Sequence, residues 1–136
     1  MIMKKIVIIL ICFVLASIGV AAQEASVSQL VKYRWVLTSP DLGGQELMIW
    51  FTETEFCDST VFTSSKRTFT FRHRYYLSKT KPEAFEGERV GKSTDGNFLV
   101  VERSDNRMSV FKIVSVTDNR LSIIFAGGDV FTFVKE

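Results

Sequence analysis

Apolar and polar residues alternate strictly between Arg67 and Leu77, and this is the clearest pattern in the chain. One set of alternate positions holds large, mainly aromatic side chains: Phe69, Phe71, His73 and Tyr75. The other set holds Thr68, Thr70, Arg72 and Arg74. Successive side chains of a strand point to opposite faces, so this period of two predicts a half-buried antiparallel strand.

Short segments of the same kind, separated by turn signals, make up most of the remaining chain. Strands are predicted over 33–39, 45–52, 56–62, 98–102, 108–117, 121–125 and 130–134, with a further short strand near Val90. A helical lead-in is predicted from Ala25 to Lys32. Eight or nine short strands predict an antiparallel barrel or sandwich, and an up-and-down barrel is favoured because closure removes the sheet edges.

The first 22 residues have the features of a cleaved export signal. Lys4 and Lys5 precede an apolar run, and Val20-Ala21-Ala22 fits the small-x-small rule for cleavage. The run is shorter than the roughly 20 apolar residues that cross a bilayer. Cys12 lies inside the run instead of after the cleavage point, so no lipid anchor is expected. Residues 23–136 are therefore predicted to be one exported domain, periplasmic or extracellular.

The charge balance excludes an electrostatic case for nucleic acid or an anionic membrane. Loss of Lys4 and Lys5 lowers the count of Lys and Arg from 17 to 15, which equals the 15 Asp and Glu. Basic and aromatic residues do interleave from Arg67 to Tyr76, as in strands that bind single-stranded nucleic acid. They fall on opposite faces of the predicted strand, however, so packing on one face explains them better.

Candidate catalytic and metal-binding residues are few. His73 is the only histidine, and Cys57 is the only cysteine that remains after cleavage. A zinc site needs three or four ligands, which one His and one Cys do not provide. Glu53, Glu55 and Asp58 cluster at a predicted turn and are expected to be solvated. We therefore predict no catalytic residue, no metal and no cofactor; Cys57 is either packed in a strand or an exposed thiol that pairs with another molecule.

Several short segments carry a resemblance to a known family. They are Trp35 with Val36-Leu37-Thr38-Ser39, Tyr75-Tyr76-Leu77-Ser78, Pro82, Phe85, Val90-Gly91-Lys92, Gly96 and Phe98-Leu99-Val100-Val101. Together they resemble the small exported bacterial proteins described as lipocalin-like, of the calycin type. The resemblance implies an eight-stranded barrel with a central cavity and with Trp35 near its closed end. It makes Arg120 a candidate to pack on Trp35, and Tyr33 departs from the glycine that many lipocalins have there.

Three functions are compatible with these features. The first is a non-enzymatic protein that binds a small apolar or amphipathic ligand in the barrel; this hypothesis fails if the cavity is smaller than a drug-sized ligand. The second is a packed-core barrel that acts as a structural or protein-interaction module through exposed aromatics such as Trp50 and Tyr76. The third is an enzyme, which requires titratable groups that converge inside the cavity. For the first function, the predicted ligand-binding residues are Phe69, Phe71, His73, Tyr75 and Trp50.

Overall fold

Eight antiparallel strands form a closed barrel in a computed structural model that describes residues 24–104, 107–125 and 127–136. The strands are β1 (Trp35–Ser39), β2 (Gln45–Phe51), β3 (Glu55–Phe62), β4 (Thr68–Ser78), β5 (Phe98–Glu102), β6 (Met108–Val116), β7 (Arg120–Ile124) and β8 (Val130–Lys135). Each strand pairs with the next, and β8 pairs with β1. The predicted all-β, up-and-down antiparallel barrel is confirmed.

Alternate residues of every strand fill the inside of the barrel. The register sets Phe56 opposite His73, Leu77 opposite Leu99, and Ile113 opposite Ile123. The core contains Trp35, Ile49, Phe51, Phe56, Tyr75, Leu77, Leu99, Val101, Ile113, Leu121, Ile123 and Phe133. Burial of each large apolar side chain contributes about 1.5–3 kcal/mol, so this inner face is the main source of stability.

A short helix, α1 (Val27–Leu30), covers one end of the barrel. Ser26 and Gln29 form a reciprocal capping box at its start. The indole N–H of Trp35 donates a hydrogen bond to the Leu30 carbonyl oxygen at 3.0 Å. Trp35 is fully buried, and the Tyr33 ring packs against it at 5.5 Å, whereas Arg120 is exposed. This end, with Trp35 and α1, is the closed end.

Backbone hydrogen bonds attach the residues before α1 to the segment that precedes β5. Ala25 N–H donates to Asn97 Oδ1 at 3.0 Å, and Gly96 N–H donates to the Ala25 carbonyl at 2.9 Å. Val27 N–H donates to the Thr94 carbonyl at 2.8 Å. The closed end therefore joins residues that are about 70 positions apart in sequence.

The segment near Val90 contains a 3-10 turn (Gly87–Arg89) instead of the predicted strand. This segment packs on the outside of β4, where the Phe85 ring lies 5.2 Å from the Tyr76 ring and the Arg89 guanidinium lies 4.5 Å from it. Tyr76 is consequently only 1% exposed. Its predicted role as an exposed contact residue is wrong, because the long β4–β5 connection covers it.

Cys57 lies on β3 and is buried, which confirms the first of its two alternatives. Burial raises the pKa of its thiol above the usual value, the Arg72 charge opposes this shift, and the charges of Glu55 and Asp58 add to it. A buried, protonated thiol is a poor nucleophile.

The predicted export signal, residues 1–22, lies outside the described residues. Among the helices of the described ranges, none has the length and apolar character needed to cross a bilayer.

The β3–β4 hairpin extends beyond the neighbouring strand on one side. β4 pairs with β3 from Thr68 to Arg74, but it pairs with β5 only from Tyr75 to Ser78. Within the described part of the chain, Thr68–Arg74 has no second strand neighbour, and we call these residues the outer segment of β4. It lies at the open end of the barrel, opposite α1.

Candidate functional site

The open end of the barrel contains a chamber of about 200 Å³. Most of its walls are apolar, and three ionisable side chains interrupt them. It is lined by Leu47, Ile49, Phe56, Asp58, His73, Val101, Arg103, Phe111, Phe125 and Phe131. An apolar chamber with a few converging polar groups is the usual character of a small-molecule site.

Three phenylalanines form one apolar wall of this chamber. The Phe125 ring lies 4.7 Å from that of Phe111 and 5.0 Å from that of Phe131, both in edge-on arrangements. None of these three residues was predicted to belong to a site. The available signal was the alternation of Phe131 and Phe133 in the last strand, which places both inside the barrel.

Asp58, His73 and Arg103 supply the polar part of the chamber. Burial raises the pKa of Asp58 above its ordinary value, and the nearby His73 and Arg103 charges oppose that shift. The prediction of a solvated turn at Asp58 is wrong. Asp58 lies inside β3, opposite Ile49 and Phe71, so its side chain faces the interior of the barrel.

A larger cleft of about 750 Å³ adjoins the chamber and shares Asp58, His73 and Arg103 with it. The cleft runs along the outer segment of β4 towards the end of β5. The chamber alone falls below the roughly 300–1,000 Å³ of pockets for drug-sized ligands. A drug-sized ligand enclosed within the barrel is therefore not supported, and a ligand that uses this site is either smaller or extends into the cleft.

An ion pair forms part of the cleft wall. Arg74 donates two hydrogen bonds to Glu102, from Nε to Oε1 at 3.0 Å and from Nη2 to Oε2 at 2.6 Å. These bonds lower the pKa of the Glu102 carboxyl below its ordinary value. Such a bidentate pair has fixed geometry, so it holds β4 beside the end of β5 where their backbone pairing stops.

The four predicted residues of β4 share one face, but the structure spreads them along the barrel axis. His73 lines the chamber, and Phe71 lines the cleft with 57% of its surface exposed. Phe69 is 46% exposed and packs on Phe62 near the tip of the hairpin. Only His73 lies in the chamber itself.

Tyr75 is buried below the chamber and does not offer its hydroxyl to it. The hydroxyl donates a hydrogen bond to the Thr52 carbonyl at 2.6 Å. Burial, with smaller contributions from the charges of Glu53 and Cys57, raises the pKa of Tyr75 well above its ordinary value. The hydroxyl is thus a structural donor near the closed end.

Trp50 lies on the outer face of β2, opposite Cys57. The Arg34 guanidinium lies 4.9 Å from the centre of the indole ring. Trp50 therefore packs outside the barrel, away from the chamber that its neighbours Ile49 and Leu47 line.

The groups that could take part in chemistry at the chamber are His73, Asp58 and Arg103. His73 and Asp58 do converge there, as an enzyme would require, but the structure records no hydrogen bond between them. No serine, threonine or cysteine is among the described residues that line the chamber. Nor do three His, Cys, Asp or Glu side chains gather as a metal site in residues 24–104, 107–125 or 127–136.

Comparison with models of protein families, with curated proteins and with solved structures found no match to this chain.

Substitution of Asp58 with asparagine is expected to stabilise the protein at neutral pH. Because burial raises the pKa of Asp58 in the folded state, its ionised form costs stability above that pKa. The cost disappears as the pH falls below the pKa of the unfolded chain, where the carboxyl is protonated in both states. Thermal unfolding should give a higher Tm for Asp58→Asn than for the wild type at pH 7, and a smaller difference at pH 3.

Asp118→Asn is the matched control, because this carboxylate is 89% exposed in a turn at the closed end. It should leave the Tm nearly unchanged at both pH values. A lower Tm for Asp58→Asn at pH 7 would mean that attraction to His73 and Arg103 outweighs the cost of burial.

Proposed function

We propose that this protein is an exported, non-enzymatic β-barrel that binds a small amphipathic molecule at its open end. The observation that carries the proposal is the apolar chamber bordered by Asp58, His73 and Arg103, next to a wider polar cleft. The apolar part of the ligand occupies the chamber, and its polar group lies among the three ionisable side chains.

The size of the chamber limits the apolar part of the ligand. Each buried methylene contributes about 0.8 kcal/mol, or roughly a fourfold gain in affinity. This gain continues only while the chain fits between the phenylalanine wall and Leu47. A longer ligand must leave the chamber through the cleft, where its additional methylenes remain in contact with water.

The polar residues at the mouth favour a ligand with a hydrogen-bonding or charged group over a pure hydrocarbon. Arg103 and His73 can donate hydrogen bonds, and ionised Asp58 can accept them. We therefore expect different affinities for a carboxylate, an alcohol and an amine that have the same apolar tail. The ranking of these affinities identifies which of the three side chains contributes most to binding of the polar group.

A binding role is favoured over catalysis by the absence of an activated nucleophile among the described chamber residues. Cys57 is buried on the opposite face of β3, and burial raises its thiol pKa. The Tyr75 hydroxyl is engaged with Thr52. Without a nucleophile and an oriented base, a titratable pair at a chamber mouth serves to position a polar group.

The identifying experiment is native mass spectrometry of residues 23–136, expressed with export and purified without denaturation. An excess mass that disappears on organic extraction supports the proposal and identifies the ligand. A bare mass, together with no uptake of octanoate, octanol or octylamine, contradicts it.

A chain-length series tests the chamber directly. Affinity for unbranched alkanoates should rise about fourfold per methylene until the chamber is full and then level off. Leu47→Trp places a larger side chain in the chamber and should lower octanoate affinity at least about tenfold, measured by isothermal titration calorimetry. Met48→Trp adds the same bulk to the next residue of β2, on the outer face, and should change affinity less than about twofold. Equal effects of the two variants would place the ligand elsewhere.

A further inference from the structure

The outer segment of β4 exposes backbone groups along an open sheet edge. Phe62 N–H donates a hydrogen bond to the Arg67 carbonyl, and in an antiparallel ladder such bonds recur at every second residue. The odd-numbered residues of β4 therefore bond to β3, and the N–H and C=O groups of Thr68, Thr70 and Arg72 point to the open side. An unpaired edge of this kind is a template for pairing with another strand.

The exposed part of this strand is symmetric about its middle residue. All five residues of Thr68–Arg72 are exposed, with Thr70 at the centre and a phenylalanine on each side of it. Phe69 and Phe71 are 46% and 57% exposed, which is unusual for phenylalanines in a sheet. In an antiparallel pair of two copies with a two-fold axis at Thr70, Phe69 of each copy lies opposite Phe71 of the other. Only this centre of symmetry pairs all five exposed residues with one another.

The backbone hydrogen-bonding pattern agrees with this register. Thr70 lies opposite Thr70 of the second copy, and Thr68 lies opposite Arg72 of the second copy. These are the residues whose backbone groups point to the open side, so each pair exchanges two hydrogen bonds. The phenylalanines then occupy the non-hydrogen-bonded pairs, in which Cα atoms lie about 4.5 Å apart and side chains are closest. Aromatic pairs and threonine pairs at such cross-strand positions stabilise a sheet.

The charges of this region do not keep two copies apart. The cleft beside the outer segment of β4 is lined by three carboxylates and three arginines, namely Glu55, Asp58, Glu102, Arg72, Arg74 and Arg103. Arg72 faces Thr68 of the second copy, so no like charges lie directly opposite each other within the five paired residues. The cleft also provides space, between β4 and residues 102–104, for the residues that precede Thr68 in the second copy.

We propose that the outer segment of β4 binds a second copy of this chain, by antiparallel pairing of the two segments about a two-fold axis at Thr70. The pairing joins the two barrels through one continuous sheet, and both copies contribute the same surface, as in most symmetric dimers. This interface uses only the strand edge and does not depend on a ligand in the chamber.

The area available at this edge predicts a dimer that dissociates readily. Phe69 and Phe71 are each about half exposed, so each ring has roughly 100 Å² left to bury, or about 400 Å² for the four rings of a dimer. With the paired backbone added, the interface is at the small end of the range for specific contacts. We therefore expect a Kd of about 1–100 µM.

Sedimentation-velocity ultracentrifugation of residues 23–136, which contain the whole barrel, measures this association. The sedimentation coefficient should rise from the monomer value to the dimer value between about 1 µM and about 500 µM protein. Phe71→Ser removes the more exposed ring and should raise the Kd at least about tenfold. Val114→Ser is the matched control, because Val114 is an apolar residue on β6 that is 51% exposed. It should change the Kd less than about twofold.

Cross-linking at the two-fold axis tests the register. In Thr70→Cys the paired Cα atoms lie about 5.5 Å apart, within disulfide range, so mild oxidation should cross-link most of the protein. Thr68→Cys is the control, because its two copies lie about 13 Å apart along the strands and should not cross-link. A mixture of Thr68→Cys and Arg72→Cys should cross-link, since these positions face each other. The wild type should not, because Cys57 is buried.

Each other outcome overturns the proposal. A monomer at every concentration, without cross-linking of Thr70→Cys, would mean that Arg72 protects the edge from pairing. A dimer in which Thr70→Cys does not cross-link, or cross-links no better than Thr68→Cys, would contradict the register. A dimer that Phe71→Ser leaves intact, or that Val114→Ser dissociates, would place the interface elsewhere on the barrel. Circular dichroism checks that each variant remains folded.

Discussion

Replacement of Gly96 with alanine is expected to destabilise the barrel by about 3 kcal/mol or more. Gly96 has φ of +145°, a conformation that side chains rarely adopt. A Cβ atom at this position would overlap the carbonyl carbon and oxygen of Ser78 and lie 2.7 Å from the Lys79 nitrogen. These are backbone atoms at the end of β4, so they cannot move aside without breaking the ladder.

The effect should extend to the closed end, because Gly96 N–H donates to the Ala25 carbonyl. Urea-induced unfolding of Gly96→Ala and the wild type gives the difference in free energy. Gly43→Ala is the matched control, with φ of +56° and no atom within 4 Å of the added Cβ. It should cost about 1 kcal/mol. Equal losses in the two variants would mean that backbone conformation alone, and not the contact with Ser78, requires glycine at position 96.

Substitution of Trp35 with alanine is expected to cost about 3–5 kcal/mol. Trp35 is fully buried between Tyr33 and the barrel interior, so the truncation leaves a large cavity at the closed end. It also leaves the Leu30 carbonyl without the indole N–H, which bonds to it at 3.0 Å. The loss of a buried hydrogen-bond partner adds to the cost of the cavity.

Two further variants separate the contribution of the hydrogen bond from that of the apolar contacts and compare Trp35 with the other tryptophan. Trp35→Phe keeps most of the apolar contact but not the hydrogen bond, and should lose about 1–3 kcal/mol. Trp50→Ala removes the other tryptophan, which lies on the outer face beside Arg34, and should lose about 1 kcal/mol. Chemical denaturation measures all three. A loss in Trp50→Ala as large as in Trp35→Ala would contradict the assignment of Trp35 as the main packing residue of the closed end.

The residues that stabilise the barrel and those of the proposed binding region lie at opposite ends of the barrel axis. Gly96, Trp35 and α1 hold the closed end through buried contacts and backbone bonds. The open end carries the chamber, the cleft and the outer segment of β4, where side chains are exposed or partly buried. Substitutions at the closed end should therefore lower stability, and those at the open end should change binding in a protein that remains folded.

Much of the barrel could be predicted from local patterns. The alternation from Arg67 to Leu77 determined that Phe69, Phe71, His73 and Tyr75 share a face, and similar alternation located seven other strands within one or two residues. The strand predicted near Val90 was wrong because an apolar residue with polar neighbours on both sides also fits the alternation of a strand. In the structure, Phe85 and Arg89 of that segment pack on the Tyr76 ring. Tyr76 is too distant in sequence for a short-range pattern to include this contact.

The candidate site could be predicted only in part. His73 was placed on the correct face, but Asp58, Arg103 and the phenylalanine wall were not assigned to a site. These residues come from strands and connections that are distant in sequence and meet only when the sheet closes. Trp50 differs by one position from the inward-facing Ile49, and a single step along a strand moves a side chain to the other face.

The sequence by itself determined the class of fold, because the period of two and the turn residues act over only a few positions. Tertiary structure alone decided how far each strand is paired, and therefore where the barrel is packed and where it is open. β4 is buried where β5 accompanies it and exposed where β5 ends, although its alternation is the same throughout. Burial depends on the neighbours that closure of the sheet brings together, and no local pattern contains that information.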